Sequence, residues 1–114
     1  MRRKVIFFGM LALLGAGAAQ ADGYPTIDRV EYVLECMRNN GGSYAYLYKC
    51  ACAIDAIAAR IPYDDYVASS AVARYQTMGG ERAGVFRDPE PMKAMAKDFR
   101  GVQREANKAC DVPR

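Results

Sequence analysis

The sequence predicts an all-α fold, in which a small disulfide-stapled bundle of about four helices follows a cleaved signal peptide. Apolar residues recur at steps of three and four along most of the chain, and this spacing is typical of amphipathic helices. No segment shows the polar–apolar alternation of a half-buried strand. Four cysteines in 114 residues indicate that covalent links support a modest core.

The first 21 residues have the organisation of a secretory signal peptide, so we do not expect them in the folded domain. Residues 2–4 are basic, residues 5–18 are apolar or small, and residues 19–21 offer an A-x-A cleavage site. Cleavage there leaves one domain, residues 22–114, in the periplasm. No later stretch is apolar for long enough to span a membrane, so we expect no span in the mature chain.

The first two predicted helices form an antiparallel hairpin. Thr26 caps the first helix, which ends at the Asn-Asn-Gly-Gly turn of residues 39–42. Ser43 caps the second helix, and Pro62 ends it. The apolar positions expected to face the core are Ile27, Val30, Val33, Leu34 and Met37 in the first helix and Leu47, Cys50, Ile54, Ile57 and Ile61 in the second.

Two further helices are predicted in the second half of the chain. Asp64 caps the third helix, and a Gly-Gly pair at residues 79–80 ends it. Residues 81–87 contain another glycine and only one apolar pair, so we expect an irregular connection there. Asp88 followed by Pro89 is a strong start signal, with Pro89 as the first position of a fourth helix that runs to the C-terminus.

The four cysteines of the mature domain fit two disulfides in an exported chain. Because a helix turns about 100° per residue, Cys50 and Cys52 point to different sides of the second helix and cannot bond to each other. The height of Cys36 in the hairpin favours Cys36–Cys50 with Cys52–Cys110, while Cys36–Cys52 with Cys50–Cys110 remains open. A zinc site built from all four thiolates and a redox-active Cys50/Cys52 pair are the other interpretations.

The composition excludes several classes of function. The chain has no His and no Trp, which excludes His-based catalysis and His-ligated metal sites. It carries 16 basic and 13 acidic residues, and the three excess positive charges all lie in residues 2–4. The mature domain is therefore neutral, which argues against a dedicated nucleic-acid or anionic-membrane binder. We assign no catalytic residue, no metal and no cofactor from the sequence.

Two groups of residues are candidates for contact with a protein partner. Tyr44 and Tyr48 belong to a tyrosine-rich edge at the start of the second helix, and tyrosine gives a large contact area at a small entropy cost. Arg82, Phe86 and Arg87 lie in the glycine-rich segment before the last helix, and an arginine with an aromatic ring commonly anchors an interface. The alternative is that the tyrosine rings close the small core and that both arginines pair with neighbouring acidic residues.

Asp55 interrupts an apolar run in the second helix. A helical wheel places it about 100° from Ile54, at the boundary of the core. Because Asp is rarely buried, we expect it to pair with Arg60 or with an arginine of another helix. The alternative is a buried carboxylate that orients a group of a partner.

Four short runs of the sequence carry a resemblance to a known group of proteins. They are Leu34-Glu35-Cys36-Met37, Asn40-Gly41-Gly42, Lys49-Cys50-Ala51-Cys52-Ala53-Ile54-Asp55 and Gly80-Glu81-Arg82. With them, residues 32–87 resemble small uncharacterised periplasmic proteins of methylotrophic bacteria, which accompany quinoprotein methanol dehydrogenases and their cytochromes. The resemblance implies an accessory role in methanol oxidation and assigns no catalytic residue. More broadly, the chain resembles the helical acid-stress chaperones of the periplasm, which have fewer cysteines and no Cys-x-Cys.

The sequence therefore predicts a non-enzymatic accessory or binding protein of the periplasm with a protein partner, and the resemblance implies a quinoprotein alcohol or methanol dehydrogenase system. One alternative is a thiol–disulfide redox protein that uses Cys50 and Cys52. Such a thiolate often lies at a helix N-terminus, whereas this pair is predicted about two turns into its helix. The other alternative is a stress chaperone that opens to expose its apolar faces, with carboxylates as its acid trigger because no His is present.

Overall fold

The computed structural model describes residues 23–114, so the predicted signal peptide and its cleavage site lie outside the described residues. Within this range the chain forms five α-helices and no strand, which confirms the all-α prediction. The helices are α1 (Thr26–Asn39), α2 (Ala45–Ala58), α3 (Tyr63–Tyr75), α4 (Glu81–Arg87) and α5 (Glu90–Ala109). None of these described helices combines the length and the apolar character that crossing a bilayer requires.

Three of the helices begin directly after a proline. Pro25, Pro62 and Pro89 hold extended backbone angles before α1, α3 and α5, and their carbonyls accept the first helical hydrogen bonds. The predicted caps Thr26 and Asp64 are therefore wrong, because both residues lie inside the first turn of their helix and neither side chain caps it. Asp64 instead places a carboxylate near the positive end of the α3 dipole.

The predicted caps Ser43 and Asp88 are also displaced. α2 begins at Ala45, and the Oγ of Ser43 accepts only a long hydrogen bond of 3.4 Å from the Ala45 N–H. Asp88 ends α4 instead of starting α5, because its backbone N–H donates to the Gly84 carbonyl at 2.9 Å. Pro89 then precedes α5 and is not its first helical residue.

α4 replaces the irregular connection predicted for residues 81–87. A glycine in its centre lowers the helix propensity of this segment by about 1 kcal/mol relative to Ala, so contacts with the rest of the fold must stabilise it. Ala83 is buried, and the ring of Phe86 stacks on Tyr75 of α3 with the centroids 4.9 Å apart. Tertiary packing therefore overrides the local glycine signal.

The helices pack as a row of neighbours. α1 packs on α2, α2 on α5, α5 on α3, and α4 contacts both α3 and α5. The apolar positions predicted for α2, which we call the α2 seam, fill the core. Cys50 and Ile57 are fully buried there, and Ile54 is nearly so. At the other end of the row, Phe99 of α5 packs on Tyr66 of α3 with ring centroids 5.9 Å apart.

α1 turns a different face to the core from the one that its apolar spacing predicts. Three of the residues predicted to be buried there are exposed, namely Ile27, Val30 and Leu34, at 63%, 46% and 55%. The residues that α1 does bury are Tyr32, Val33 and Cys36. Because α2 is the main helical neighbour of α1, only the stripe beside α2 is covered, and the rest of the apolar face stays in solvent.

Candidate functional site

Two disulfides join the helices around α2. Cys36 bonds to Cys50 with the Cα atoms 5.9 Å apart, which links α1 to α2. Cys52 bonds to Cys110 with the Cα atoms 5.8 Å apart, which links α2 to the end of α5. This is the pairing that the height of Cys36 in the hairpin favours. The first bridge is buried in the core, whereas Cys52 is exposed.

These bridges leave no free cysteine within residues 23–114. Cys50 and Cys52 belong to separate disulfides, and Cys50 is fully buried. Cys50 and Cys52 therefore do not bond to each other, as the helix geometry predicted. In the same range of residues, no group of three or more His, Cys, Asp or Glu side chains is placed to hold a metal ion.

The structure distributes the five predicted partner-binding residues over two parts of the molecule. Tyr44 and Tyr48 lie side by side at the start of α2, with ring centroids 6.1 Å apart and both side chains well exposed. Arg82, Phe86 and Arg87 lie in α4, which packs on α3 and α5. A partner that contacted all five residues would have to bridge two surfaces.

Arg87 forms hydrogen bonds within its own chain. Its Nη1 donates to the carbonyls of Met78 at 2.8 Å and Gly80 at 3.3 Å, and its Nε donates to the Asp88 carboxylate at 2.7 Å. The hydrogen bond with Asp88 raises the pKa of the Arg87 guanidinium and lowers the pKa of the Asp88 carboxyl. Arg87 therefore ties the α3–α4 connection together, as the pairing alternative predicted.

The two other candidates in α4 face solvent to different degrees. Arg82 is exposed and forms no ion pair within the described part of the chain. Phe86 is 45% exposed, but one face of its ring is covered by Tyr75. Its backbone carbonyl also accepts a hydrogen bond of 3.3 Å from Nε2 of Gln76. A docking role for Arg82 and Phe86 stays a prediction.

The hairpin of α1 and α2 carries half of the large apolar side chains that are exposed among the described residues. We define the α1–α2 apolar face as Ile27, Val30, Leu34, Tyr44 and Tyr48. Between the two helices, Val30 and Leu34 line a groove of about 250 Å³ together with Leu47 and Ala51. Tyr44 and Tyr48 precede Ala51 on the same side of α2, which places the two rings along the continuation of this groove.

Asp55 marks an edge of this groove. Its carboxylate accepts a hydrogen bond of 2.5 Å from Nη1 of Arg29 in α1, and both residues line the groove. This confirms the pairing with an arginine of another helix, while Arg60 pairs with Glu105 of α5. The Asp55 side chain is 72% exposed, so the alternative of a buried carboxylate is wrong.

A polar cleft of about 230 Å³ lies between α1 and α3, with α5 behind it. Tyr32 and Tyr66 line the cleft, and the Tyr32 hydroxyl accepts a hydrogen bond of 3.2 Å from Nε2 of Gln103. Burial raises the pKa of Tyr32 and raises the pKa of Tyr66 to about 12. Both phenols are therefore neutral hydrogen-bonding groups at ordinary pH and do not act as bases.

Polar contacts connect α1 to α3 across this region. Nη2 of Arg74 lies 3.2 Å from the Glu35 carboxylate, and the Tyr63 hydroxyl donates to Asp28 at 2.5 Å. The hydrogen bond to Asp28 raises the pKa of Tyr63. These contacts bridge two helices whose backbones approach each other closely at few points.

The α1–α2 apolar face was found only in part by sequence reasoning. Tyr44 and Tyr48 were identified as candidates, but Ile27, Val30 and Leu34 were assigned to the core. The signal that could have shown their exposure is the number of apolar positions in α1. A helix packed mainly on one neighbour cannot bury a stripe that wide.

Comparisons with known proteins return nothing similar: no protein-family model, no curated protein and no solved structure matches this chain.

Proposed function

We propose that this chain is a non-enzymatic binding protein of an exported, oxidising compartment, and that it docks a protein partner on the α1–α2 apolar face. The concentration of exposed apolar side chains on that face is the observation that carries the proposal. Contiguous apolar surface on a soluble protein marks interaction sites, because its burial gains about 25 cal/mol per Å². The two disulfides support the compartment, since such bridges persist where thiols are oxidised.

The shape of the face favours a partner that inserts an apolar segment. Val30 and Leu34 offer a groove for aliphatic side chains. Tyr44 and Tyr48 stand beside it as exposed rings, and tyrosine serves well as an anchor because it combines a large apolar area with a polar tip. The ion pair of Asp55 supplies a polar rim of the kind that surrounds apolar interface cores.

The Cys36–Cys50 bridge supports a binding role because it fixes the face in advance. The bridge joins the last turn of α1 to the middle of α2, so it limits the movement of one helix against the other. A preorganised surface loses less conformational entropy when it binds. The exposed side chains of α1 are therefore free for contact with a partner.

Further proposals concern the cellular compartment, the identity of the partner and a second contact with it. The signal-like residues 2–21 support export to the periplasm with cleavage after residue 21. The partner that we propose belongs to a quinoprotein alcohol or methanol dehydrogenase system, and this rests only on the resemblance of residues 32–87. Arg82 and Phe86 are proposed as a second contact on α4.

Two matched double variants test the docking face. The first replaces Val30 and Leu34 with Ser, and the control replaces Val67 and Met95 with Ser. Val67 in α3 and Met95 in α5 are also exposed, at 47% and 36%, but lie outside the face and outside α4. Binding to a purified quinoprotein methanol dehydrogenase and crosslinking in a periplasmic extract are measured for both variants. We expect the first variant to bind at least about tenfold more weakly and the control to bind as the native chain does.

Equal binding by the two variants would show that the face does not dock the partner. Binding of a different periplasmic protein, with the same dependence on Val30 and Leu34, would remove only the dehydrogenase proposal. Sedimentation of the native protein alone shows whether it forms a dimer. If it does, and if the first variant is a monomer, a second copy of this chain is the partner that covers the face. Both variants should lose no more than about 2 kcal/mol of stability, because each changes two partly exposed positions. The intact mass of the exported protein should show the loss of 21 residues.

A further inference from the structure

A groove lined by basic side chains runs beside α5, on a different surface from the α1–α2 apolar face. Its volume is about 640 Å³, and the end of α1 and the last residues of the chain also line it. The side chains that matter here are Asn39, Arg100, Arg104, Asn107, Lys108 and Arg114. No Asp or Glu is among the described residues that line this groove. Its charge is therefore strongly positive although residues 22–114 are neutral as a whole.

The positive charge follows from the register of α5. Arg100, Arg104 and Lys108 recur every four residues and lie on one stripe of the helix. Arg104 and Lys108 form no ion pair within residues 23–114. The acidic residues of the same helix point elsewhere, since Glu105 pairs with Arg60 and Asp98 lines another groove beside α3. Two cations of the groove thus have no carboxylate partner in the fold.

Apolar side chains accompany these cations, because Val112 and Pro113 also line the groove. A ligand that complements the groove must therefore present carboxylates to the cations and carry them on a chain that contacts the apolar part of the lining.

We infer that this groove binds an extended acidic peptide segment of a protein partner. Asp and Glu side chains supply the carboxylates for Arg104 and Lys108, and the chain that carries them contacts Val112 and Pro113. The stripe from Arg100 to Lys108 is about 12 Å long, which about four residues of an extended chain cover. A free phosphate ion would complement the cations but would leave Val112 and Pro113 without a contact.

The test uses a short fluorescein-labelled peptide of alternating Glu and Gly. A second peptide, with Gln in place of every Glu, is the uncharged control. Binding to the mature chain is measured by anisotropy at low and at high salt. The variant R104Q/K108Q removes one Arg and one Lys from the groove. The control K49Q/K93Q removes two positive charges from α2 and from the first turn of α5, outside the groove. We expect R104Q/K108Q to weaken binding by at least about fivefold and the control by less than about twofold.

Further outcomes decide the inference. The Gln peptide should bind at least about fivefold more weakly than the Glu peptide, and salt should weaken the Glu peptide selectively. Equal losses in the two charge variants, or equal binding of the two peptides, would overturn the inference. Binding of inorganic phosphate or of anionic lipid vesicles through Arg104 and Lys108, without binding of the Glu peptide, would overturn it in favour of another anion. The Val30 and Leu34 double variant should bind the Glu peptide normally, so failure of the apolar face and failure of this groove are distinguishable.

Discussion

The two ends of the helix row are held by different means. Both disulfides lie in the stapled half, which consists of α1, α2 and the end of α5, and none lies in α3 or α4. α3 buries one side along its length, with Tyr66, Ser69, Val72 and Ala73. α1 buries fewer residues and leaves most of its aliphatic side chains in solvent. α1 is attached by a disulfide and by few buried side chains, so its other apolar side chains remain available for binding.

The unstapled half, which consists of α3, α4 and the rest of α5, relies on packing and on long polar side chains. Nη2 of Arg100 donates to the Ala73 carbonyl at 2.9 Å, which attaches α5 to α3. Nε2 of Gln76 donates to the carbonyl of Arg87 at 3.0 Å, which attaches α3 to α4. Because these links are non-covalent, single substitutions should loosen this half, whereas the stapled half should respond mainly to loss of a disulfide.

The largest effect is expected from Phe99→Ala in the unstapled half. Phe99 is 6% exposed and packs on Tyr66, so its truncation should lower the free energy of unfolding by about 4 kcal/mol. Urea unfolding measures the loss, and hydrogen exchange should show α3 opening before α1. Met95→Ala, at a more exposed position of α5, should cost less than about 1 kcal/mol. A similar cost for both variants would contradict the packing of this half.

Removal of the Cys36–Cys50 bridge should produce the opposite pattern. The two cysteines are separated by 14 in the sequence, and replacing both with Ala removes the constraint that their bridge places on the unfolded chain. The free energy of unfolding should therefore fall by about 3 kcal/mol. Hydrogen exchange should then accelerate in α1 while the amides of α3 remain protected. If α3 opened first in this variant, the division into two halves would be wrong.

Arg87→Ala should have an intermediate effect that stays local. The substitution removes hydrogen bonds to Met78, Gly80 and Asp88 and should cost about 1–2 kcal/mol. Faster exchange of the α4 amides is the matching local readout. Arg82→Ala changes an exposed arginine of the same helix and should stay within about 0.5 kcal/mol. Equal losses in the two variants would show that α4 does not depend on the Arg87 contacts.

Alkaline pH should weaken the unstapled half through Tyr66. Burial raises the pKa of its hydroxyl from 10.0 to about 12, so the neutral form is favoured in the folded chain. This contribution to stability is complete below pH 10 and is lost as pH rises through about 12. The free energy of unfolding of the native chain should therefore fall more steeply over this range than that of Tyr66→Phe. Parallel curves would contradict the role of Tyr66.

The contrast between the halves also explains which features were predictable from the sequence. The α2 seam was predicted correctly because α2 has neighbours on two sides, so its apolar positions are buried by any compact arrangement. Spacing identified the apolar stripe of α1 but not whether a neighbour covers it. α4 was missed because Ala83 and Phe86 gain their stabilisation from α3, a contact that local propensity does not contain. The basic groove was not predicted, because counting charges along the sequence does not show that α5 lies against the last residues of the chain.

The Cys52–Cys110 bridge closes a covalent ring around the less protected half of the molecule. Its sequence separation of 58 places all of α3 and α4 inside the ring. A protease that cuts once between α3 and α4 therefore opens the ring without releasing a fragment. The nicked chain migrates at full mass until its disulfides are reduced, and its two pieces remain close enough to dock again. A single cleavage in this exposed connection thus leaves the molecule in one piece.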